Sequence, residues 1–556
     1  MNRVRSTLTL EPDYTVLVGE NNSGKSNILD AMYASLRVNR TVKQGAFELH
    51  DYHLADSAAM AGDAGQIVLT LRFEESAPDD WDDEFLAAFN DVLALDAANG
   101  QNRVVIRVTS SAPASGEVET YDWDFLDANE SAHQKKNIAS LNRLQTLRPF
   151  FHLPALRDAA REFSNRSSLF SPFVNDPTFD DELRKELIDA LSEINEKVLD
   201  AHEAFTVLRD NIATGNALLA GDDSGVVIEA VPSRLSELLA NTQVSLQDKG
   251  GATLPLDRQG SGSQSLAVFS LFKAFVQAKL ASKLDPLSRP ILTIEEPEAH
   301  LHPSAARSLW QLISSINAQA LITSHSGDLL GEVPLRCVRR LKQTGSGARV
   351  FSVNVGLFGP EELRHINYAV RAARGELYFA NLWLLVEGRS EAMCIPELAR
   401  AIGTDLISGG VRVIEYQQAG GPGPFIKLAD QLGIGWHCLC DSDDSGKGNE
   451  AKVDRLLNGR PRNDHVTVLG PSNLEGFFCS EGFVEIYEAH AANEKRKVIL
   501  HARGTPDYAH AIALAIIDRR KERAALEVCA EIAQDHGKAP MLLRRMFEVC
   551  FRLAQL

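Results

Sequence analysis

A chain that runs Gly19-Glu20-Asn21-Asn22-Ser23-Gly24-Lys25-Ser26 has few folds open to it. The stretch follows the β-branched run Tyr14-Thr15-Val16-Leu17-Val18 and leads into Asn27-Ile28-Leu29-Asp30-Ala31-Met32, which reads as a helix start. Strand, G-x-x-x-x-G-K-S loop and helix in that order make a phosphate cradle, whereas a Gly-rich turn with an exposed lysine needs neither flank. The loop amides and the helix N-terminus seat an anion. Lys25 adds a point charge for the β- and γ-phosphates, and Ser26 offers a hydroxyl to Mg²⁺. A bound nucleoside triphosphate is the expectation.

The 556 residues allow roughly three to four domains around that cradle. Hydrophobic content of 44% and charged content of 24% are ordinary for a globular chain. A net charge of −18 argues against a nonspecific polycation, though not against a local basic groove. No apolar run approaches the length of a membrane span, and Met1-Asn2-Arg3-Val4-Arg5-Ser6 lacks a signal-peptide core. Seven cysteines are scattered, and the one close pair, Cys438/Cys440, alternates on a strand-like run. Buried core explains that pair better than metal binding does. A reduced, cytoplasmic protein is expected.

Past the loop, Ile67–Phe73 and Arg103–Val108 read as strands, separated by a solvated acidic turn at Asp79–Glu84. Phe150–Asp158 is an apolar segment ending in a charged pair. From Asp181 to Asp210, Leu183, Leu187, Ile188, Leu191, Ile194, Val198 and Leu199 recur at helical spacing. This block interrupts the nucleotide fold as an arm, a dimer contact or a packed helix within one subunit. Val244–Gln247 and Thr253–Leu256 predict a hairpin across Lys249-Gly250-Gly251.

Next comes Gly260-Ser261-Gly262-Ser263-Gln264-Ser265, opening straight into an apolar helix as no linker would. Pro290-Ile291-Leu292-Thr293-Ile294-Glu295-Glu296-Pro297-Glu298-Ala299-His300-Leu301-His302-Pro303 is a buried strand that delivers two adjacent carboxylates. Glu295 is placed to hold Mg²⁺, directly or through water, and Glu296 to polarise the attacking water. His325, just past the run Ala320–Thr323, is placed to sense a γ-phosphate.

These four stretches resemble the Walker A, signature, Walker B and switch-histidine elements of an ABC-type ATPase head, in its DNA-repair and SMC-related branch. The signature keeps its Ser-Gly core but has Ser263 where the usual pattern has a second Gly. The resemblance implies ATP as the nucleotide. It also implies a dimer of heads, because Ser261 and Gly262 then act on nucleotide held by a partner.

The second half carries different chemistry. Asn381–Val386 precedes Glu387-Gly388-Arg389-Ser390-Glu391; Trp436–Cys440 ends in Asp441-Ser442-Asp443; Val466–Leu469 precedes Gly470–Phe477 with Glu475. Each acid cluster alone is more often a solvated loop. Three strands delivering carboxylates to one crevice instead gather hard oxygen ligands for Mg²⁺ or Mn²⁺, because neighbouring carboxylates repel unless cations neutralise them.

Glu-Gly-x-Ser-Glu followed by Asp-x-Asp resembles a Toprim domain, whose family acids correspond to Glu387, Asp441 and Asp443. An ABC head followed by Toprim resembles the OLD (overcoming lysogenisation defect) family nucleases, which include the nuclease subunit of the Gabija anti-phage system. The resemblance implies Glu391 and Glu475 as further metal acids, and Lys538, within Gly537-Lys538-Ala539-Pro540, as a charge on the scissile phosphate. It implies DNA as substrate, a homo-oligomer, a helicase partner subunit and antiviral defence. Most of the first strand expected before the phosphate loop is missing, so a short N-terminus is expected. Basic clusters at Lys495–Lys497, Arg519–Arg523 and Arg544–Arg545 read equally as phosphate contacts or as helix-surface charge balanced by Glu522 and Glu527, and stay outside the candidate set.

The expected fold is α/β: an ABC-type P-loop ATPase domain with a helical dimerisation insert, followed by a Toprim α/β domain with C-terminal helices. The expected divisions are 1–155 for the first ATPase part, 156–240 for the insert, 241–375 for the second ATPase part, 376–490 for Toprim and 491–556 for the helical end. The expected function is an ATP-binding, metal-dependent DNA endonuclease gated by nucleotide. The alternative is a non-cutting ABC-type DNA-repair clamp or scaffold, and a topoisomerase lacks a tyrosine nucleophile near the acids.

Overall fold

The computed structural model describes residues 7–36, 47, 51–52, 65–111, 122–153, 181–201, 204–205, 207–208, 228, 230, 244–247, 253–274, 276–277, 285, 287–299, 301–344, 347–373, 375–417 and 420–555. The Arg157–Asp158 pair, positions 160–180 of the expected helical block and the Lys249–Gly251 turn lie outside the described residues.

In chain order the strands are β1 Tyr14–Gly19, β2 Ile67–Glu74, β3 Leu93–Leu95, β4 Asn102–Ser110, β5 Asp122–Leu126, β6 Phe150–Leu153, β7 Ser245–Gln247, β8 Thr253–Pro255, β9 Ile291–Glu295, β10 Gln319–Thr323, β11 Val338–Thr344, β12 Gly347–Ser352, β13 Leu382–Val386, β14 Val411–Glu415, β15 Gly435–Cys440 and β16 Val466–Val468. The helices that matter here are α1 Lys25–Leu36, α2 Asp181–Asp200, α3 Ser261–Ala274, α4 Gly327–Leu330, α5 Arg389–Ala401, α6 Asp444–Leu456, α7 Leu474–Phe478, α8 Asp518–Gln534 and α9 Met541–Ala554.

Six strands form the sheet that carries the phosphate loop, in the order β12-β11-β1-β10-β9-β6. β12 runs antiparallel to β11; the other pairings are parallel. The C-terminal ends of β1, β9 and β10 therefore share one edge, with Leu17 opposite Thr323 and Thr323 opposite Glu295. Parallel strands are covered on both faces, so Val16, Leu17, Val18, Leu292, Ile294, Leu321 and Ile322 are all buried without polar alternation. The strands expected at Ile67–Phe73 and Arg103–Val108 pair antiparallel in a second sheet, β2-β4-β3 with β5 also on β4. The expected hairpin is β7-β8. α2 realises the helical spacing but ends at Asp200. It leaves Leu183, Ile188 and Ile194 exposed while Leu191 is buried.

The third sheet is all parallel, in the order β14-β13-β15-β16. β13 lies inside it and its five side chains are fully buried, alternating between two cores. Leu382, Leu384 and Val386 face a cluster completed by α5, α8 and α9. Trp383 and Leu385 face a cluster that also holds Val16, Val18, Ile294 and Ile322 of the first sheet. One apolar core thus runs from the phosphate-loop sheet into the Toprim-like sheet. All seven cysteines are buried thiols, in keeping with the core reading of Cys438 and Cys440.

A single buried cation pins that seam. Arg340, on β11 beside Val18, donates to the carbonyls of Tyr378 at 3.0 Å, Ala380 at 3.0 Å, Leu432 at 3.1 Å and Gly433 at 3.2 Å. Burial pulls its guanidinium down to about 10, still charged at neutral pH. Its planar fork satisfies carbonyls at the start of β13 and before β15 that no ladder reaches. Truncation would leave those acceptors buried and unpaired. Arg340→Ala is expected to lower unfolding free energy by about 3 kcal/mol or more, read as a fall in urea midpoint; a loss below about 0.5 kcal/mol would show that the seam does not depend on it.

Candidate functional site

The first candidate site forms where β1, β9 and β10 end. Gly19 turns the chain with φ 156°, and a β-carbon there would stand 2.4 Å from the carbonyl of Leu341 on the neighbouring strand. Asn22 takes φ 63° and Gly24 φ 97°, and Ser23 is buried in the loop. Lys25 is buried and folds over the loop, donating to the carbonyls of Gly19 at 2.9 Å and Glu20 at 2.8 Å. Burial lowers its ammonium pKa, and Glu296 and Glu20 oppose that shift.

Ser26, in the first turn of α1, donates its hydroxyl to Glu295 at 2.5 Å. The two oxygens that would hold Mg²⁺ therefore already meet at one point, and the donor set suits that hard cation. Asp30 lies one turn on, so its carboxylate faces the same corner; burial and then Glu295 raise its pKa.

Glu296 follows β9 with φ 42°, a left-handed conformation that a non-glycine residue adopts only where its surroundings impose it. Its amide donates to the Thr323 carbonyl at 3.1 Å. Its carboxylate stands 3.5 Å from Nε2 of His325. His325 is pushed below the usual imidazole range by burial and by Lys25. The loop around it closes on Glu298, whose Oε1 accepts from Ser324 Oγ at 2.8 Å and from the amides of His325 at 2.7 Å and Ser326 at 2.9 Å. Glu298 and Asp30 were not singled out from sequence. The repeated acid in Glu-Glu-Pro-Glu, and the i, i+4 step from Ser26, were the signals available. Ser261 and Gly262 stand at the N-terminus of α3, Ser261 exposed and Gly262 half-buried.

The second candidate site forms at the C-terminal ends of β13 and β15 and in the turn after β16. Glu387 follows β13, is buried, and accepts from Ser445 Oγ at 2.8 Å. Glu391, on the first turn of α5, accepts from the Gly388 amide at 3.0 Å. Burial, then Glu475 and Glu387, push it up to about 7. Asp441 follows β15; burial and then Glu391, Glu387, Asp443 and Glu475 push it up to about 9. Asp443 caps α6 by accepting from the Gly446 amide at 2.8 Å. Glu475 is buried on α7, and its pKa is raised by burial against the pull of Lys521.

The five acids share one electrostatic neighbourhood, in which crowded carboxyl groups raise one another's pKa values. Among the described residues no three His, Cys, Asp or Glu stand close enough together to hold a metal as they are. Two of the five are turned to backbone duty: Glu391 accepts from the Gly388 amide at the start of α5 and Asp443 caps α6.

Lys538, the charge that the resemblance implies on the scissile phosphate, is engaged with Glu531. It sits in a short turn between α8 and α9, exposed, and its ammonium pairs with Glu531, which with Asp535 raises its pKa. A cation whose field reaches Glu475 and Glu391 is Lys521 on α8, half-buried and hydrogen-bonded to Asp518 at 3.2 Å. α8 packs on α5, the helix that carries Glu391. Lys521 fell within a basic cluster that sequence alone could not divide between surface and site.

Comparison with known proteins joins these two sites to a family. The family described as "Protein of unknown function (DUF2813)" matches residues 3–376. The chain belongs to the DUF2813 family. Beyond that match, residues 378–443 match the TOPRIM domain of overcoming lysogenization defect protein-like proteins. This DUF2813 protein thus carries an OLD-like Toprim match directly after its DUF2813 region, on the strands where the motifs implied a Toprim domain.

An Escherichia coli K12 protein described as "Uncharacterized protein YbjD" is 29% identical over 99% of this chain and 97% of its own length. An OLD nuclease of Thermus scotoductus is 27% identical over 34% of this chain and 37% of its own. Among solved structures, the SMC head domain from Thermotoga maritima aligns with 63% of this chain and 93% of its own at 15% identity and TM-score 0.29. No described helix is long and apolar enough to cross a membrane.

The raised carboxyls set a pH dependence. Asp441 ionises near 3.9 when unfolded but near 9 when folded, so the folded state holds the proton longer. Its contribution to stability is full below about 3.9 and is lost progressively as pH rises from there to about 9, so most of it is gone by pH 8. In EDTA-treated protein at pH 8, Asp441→Asn is therefore expected to raise Tm by about 2–5 °C. A lower Tm than wild type under those conditions would contradict the burial argument.

Proposed function

We propose that this protein is an ATP-binding, divalent-metal-dependent DNA endonuclease of the OLD type, whose cutting is gated by nucleotide. The observation that carries the reading is that Glu387, Glu391, Asp441, Asp443 and Glu475 follow the strand ends of one parallel sheet and feel one another's charge, three of them with carboxyl pKa values raised by burial. The match to an OLD-like Toprim domain and the OLD nuclease relatives support it. A role in defence against phage is what the OLD resemblance implies.

At the nucleotide site, the loop amides and Lys25 hold the phosphates. Ser26 and Glu295 hold Mg²⁺, Glu296 takes the proton of the attacking water, and His325 reads the γ-phosphate. Ser261 and Gly262 complete the site of a second head, which makes the working unit at least a dimer. At the Toprim site, Glu387, Asp441 and Asp443 would hold Mg²⁺ or Mn²⁺, with Glu391 and Glu475 as the further acids. Such a cation lowers the pKa of water and stabilises charge on the attacking and leaving oxygens. Lys521 offsets the acids' charge and stands nearer to them electrostatically than Lys538 does. Two Toprim sites in a dimer turn nicks into double-strand breaks.

Supercoiled plasmid with Mg²⁺ or Mn²⁺ tests the cutting. Asp441→Ala should slow nicking more than about a hundredfold while leaving ATP binding intact. Wild-type nicking by Asp441→Ala would overturn the Toprim assignment, and none by wild type would favour the non-cutting clamp.

The nucleotide half is tested separately. Lys25→Ala should weaken ATP binding, and Glu296→Gln should bind ATP but hydrolyse it about 10²-fold more slowly or worse. An unchanged ATPase rate in Glu296→Gln would remove Glu296 from the role of base.

A further inference from the structure

His325 reaches the nucleotide site with its backbone fixed and its ring held from outside the head. Glu298 ties down the loop through the His325 and Ser326 amides, but these bonds do not set the plane of the imidazole. The ring is stacked on Phe379, with centroids 6.4 Å apart and planes 11° apart. That separation lies within the range of attractive ring pairs. Phe379 does not come from the head's own sheet. It ends the turn Glu376–Phe379 that leads through Ala380 and Asn381 into β13, the strand that ends at Glu387.

That turn has very little freedom. The carbonyls on either side of Phe379, those of Tyr378 and Ala380, both accept from Arg340. The Leu377 carbonyl accepts from Trp383 Nε1 at 3.0 Å. Gly375, with φ 64°, lies so close to α4 that a β-carbon would meet the Gly327 carbonyl at 2.7 Å. α4 begins two residues after His325, so the turn touches the switch loop at two points.

We propose that Phe379 is a positioning residue of the nucleotide site. It holds the His325 imidazole in the plane that keeps Nε2 near the Glu296 carboxylate, and so makes turnover depend on the seat of the turn that begins the Toprim domain. The inference rests on the nucleotide reading given above. It extends that reading by naming the element through which the Toprim half enters the head's chemistry. Any shift of β13 that lifts Phe379 frees the ring, and any movement of His325 toward a γ-phosphate pulls on the turn before Glu387.

The test is steady-state ATP hydrolysis by the full-length protein. Phe379→Leu keeps apolar bulk and removes the flat ring, whereas Phe379→Tyr keeps the ring. The expected result is a fall in kcat of about fivefold to tenfold in Phe379→Leu, the size of one aromatic pair's contribution. KM for ATP should stay within about twofold, and Phe379→Tyr should restore kcat. Phe379→Met serves if Phe379→Leu fails to fold.

Wild-type turnover with unchanged kcat in the folded Leu or Met variant overturns this inference alone. So does a rise in KM without a fall in kcat, or equal losses in Phe379→Leu and Phe379→Tyr. No hydrolysis by the wild type overturns the nucleotide reading and takes this inference with it.

Discussion

The guanidinium of Arg340 is the interaction on which the arrangement of the two halves depends. It is a charged group almost wholly withdrawn from water, held by backbone carbonyls that come just before β13 and just before β15. A buried charge persists only where its donors are satisfied. Removing any one of these carbonyl partners exposes the cost of the rest. Because Arg340 sits beside Val18 on the strand next to the phosphate loop, the same requirement that satisfies it also fixes how the second sheet sits against the first. The shared apolar core then closes around a geometry already set by polar contacts.

The two candidate sites use carboxylates in opposite electrostatic settings. Around the phosphate loop, three acids have a nearby group that answers them: Ser26 donates to Glu295, His325 stands by Glu296, and three donors close on Glu298. Around the Toprim strands, like charges face one another, and Lys521 is a cation whose field reaches Glu475 and Glu391. The first arrangement is pre-organised for a phosphate chain. The second stores unfavourable charge that a bound divalent cation would relieve.

Much of this was legible in the residues. The phosphate loop, the paired acids after Ile294 and the His325 position follow from a motif with a mechanism, because strand, loop and helix leave the backbone little choice. The Toprim acids could be read because each stands within a few residues of a β-rich run, and the parallel sheet gathers strand ends. Position along the helices after residue 490 was not legible. Lys521 and Lys538 lie in similar basic surroundings, and only the packing of α8 on α5 brings Lys521 to the acids. The Arg340 seam and the Phe379 stack were equally hidden, since both join residues far apart in the chain that carry no local pattern. The apolar spacing from Leu183 to Leu199 was legible too, and α2 carries all of it.

Head and Toprim domain act as one unit if nucleotide in the loop is felt by the turn that leads to Glu387. Amide hydrogen exchange, with and without a non-hydrolysable ATP analogue, measures this directly. The account predicts slower exchange in peptides covering residues 375–388 of the wild type, alongside protection of residues 19–26, and neither change in Lys25→Ala. Protection confined to residues 19–26, with residues 375–388 exchanging as before, would contradict it.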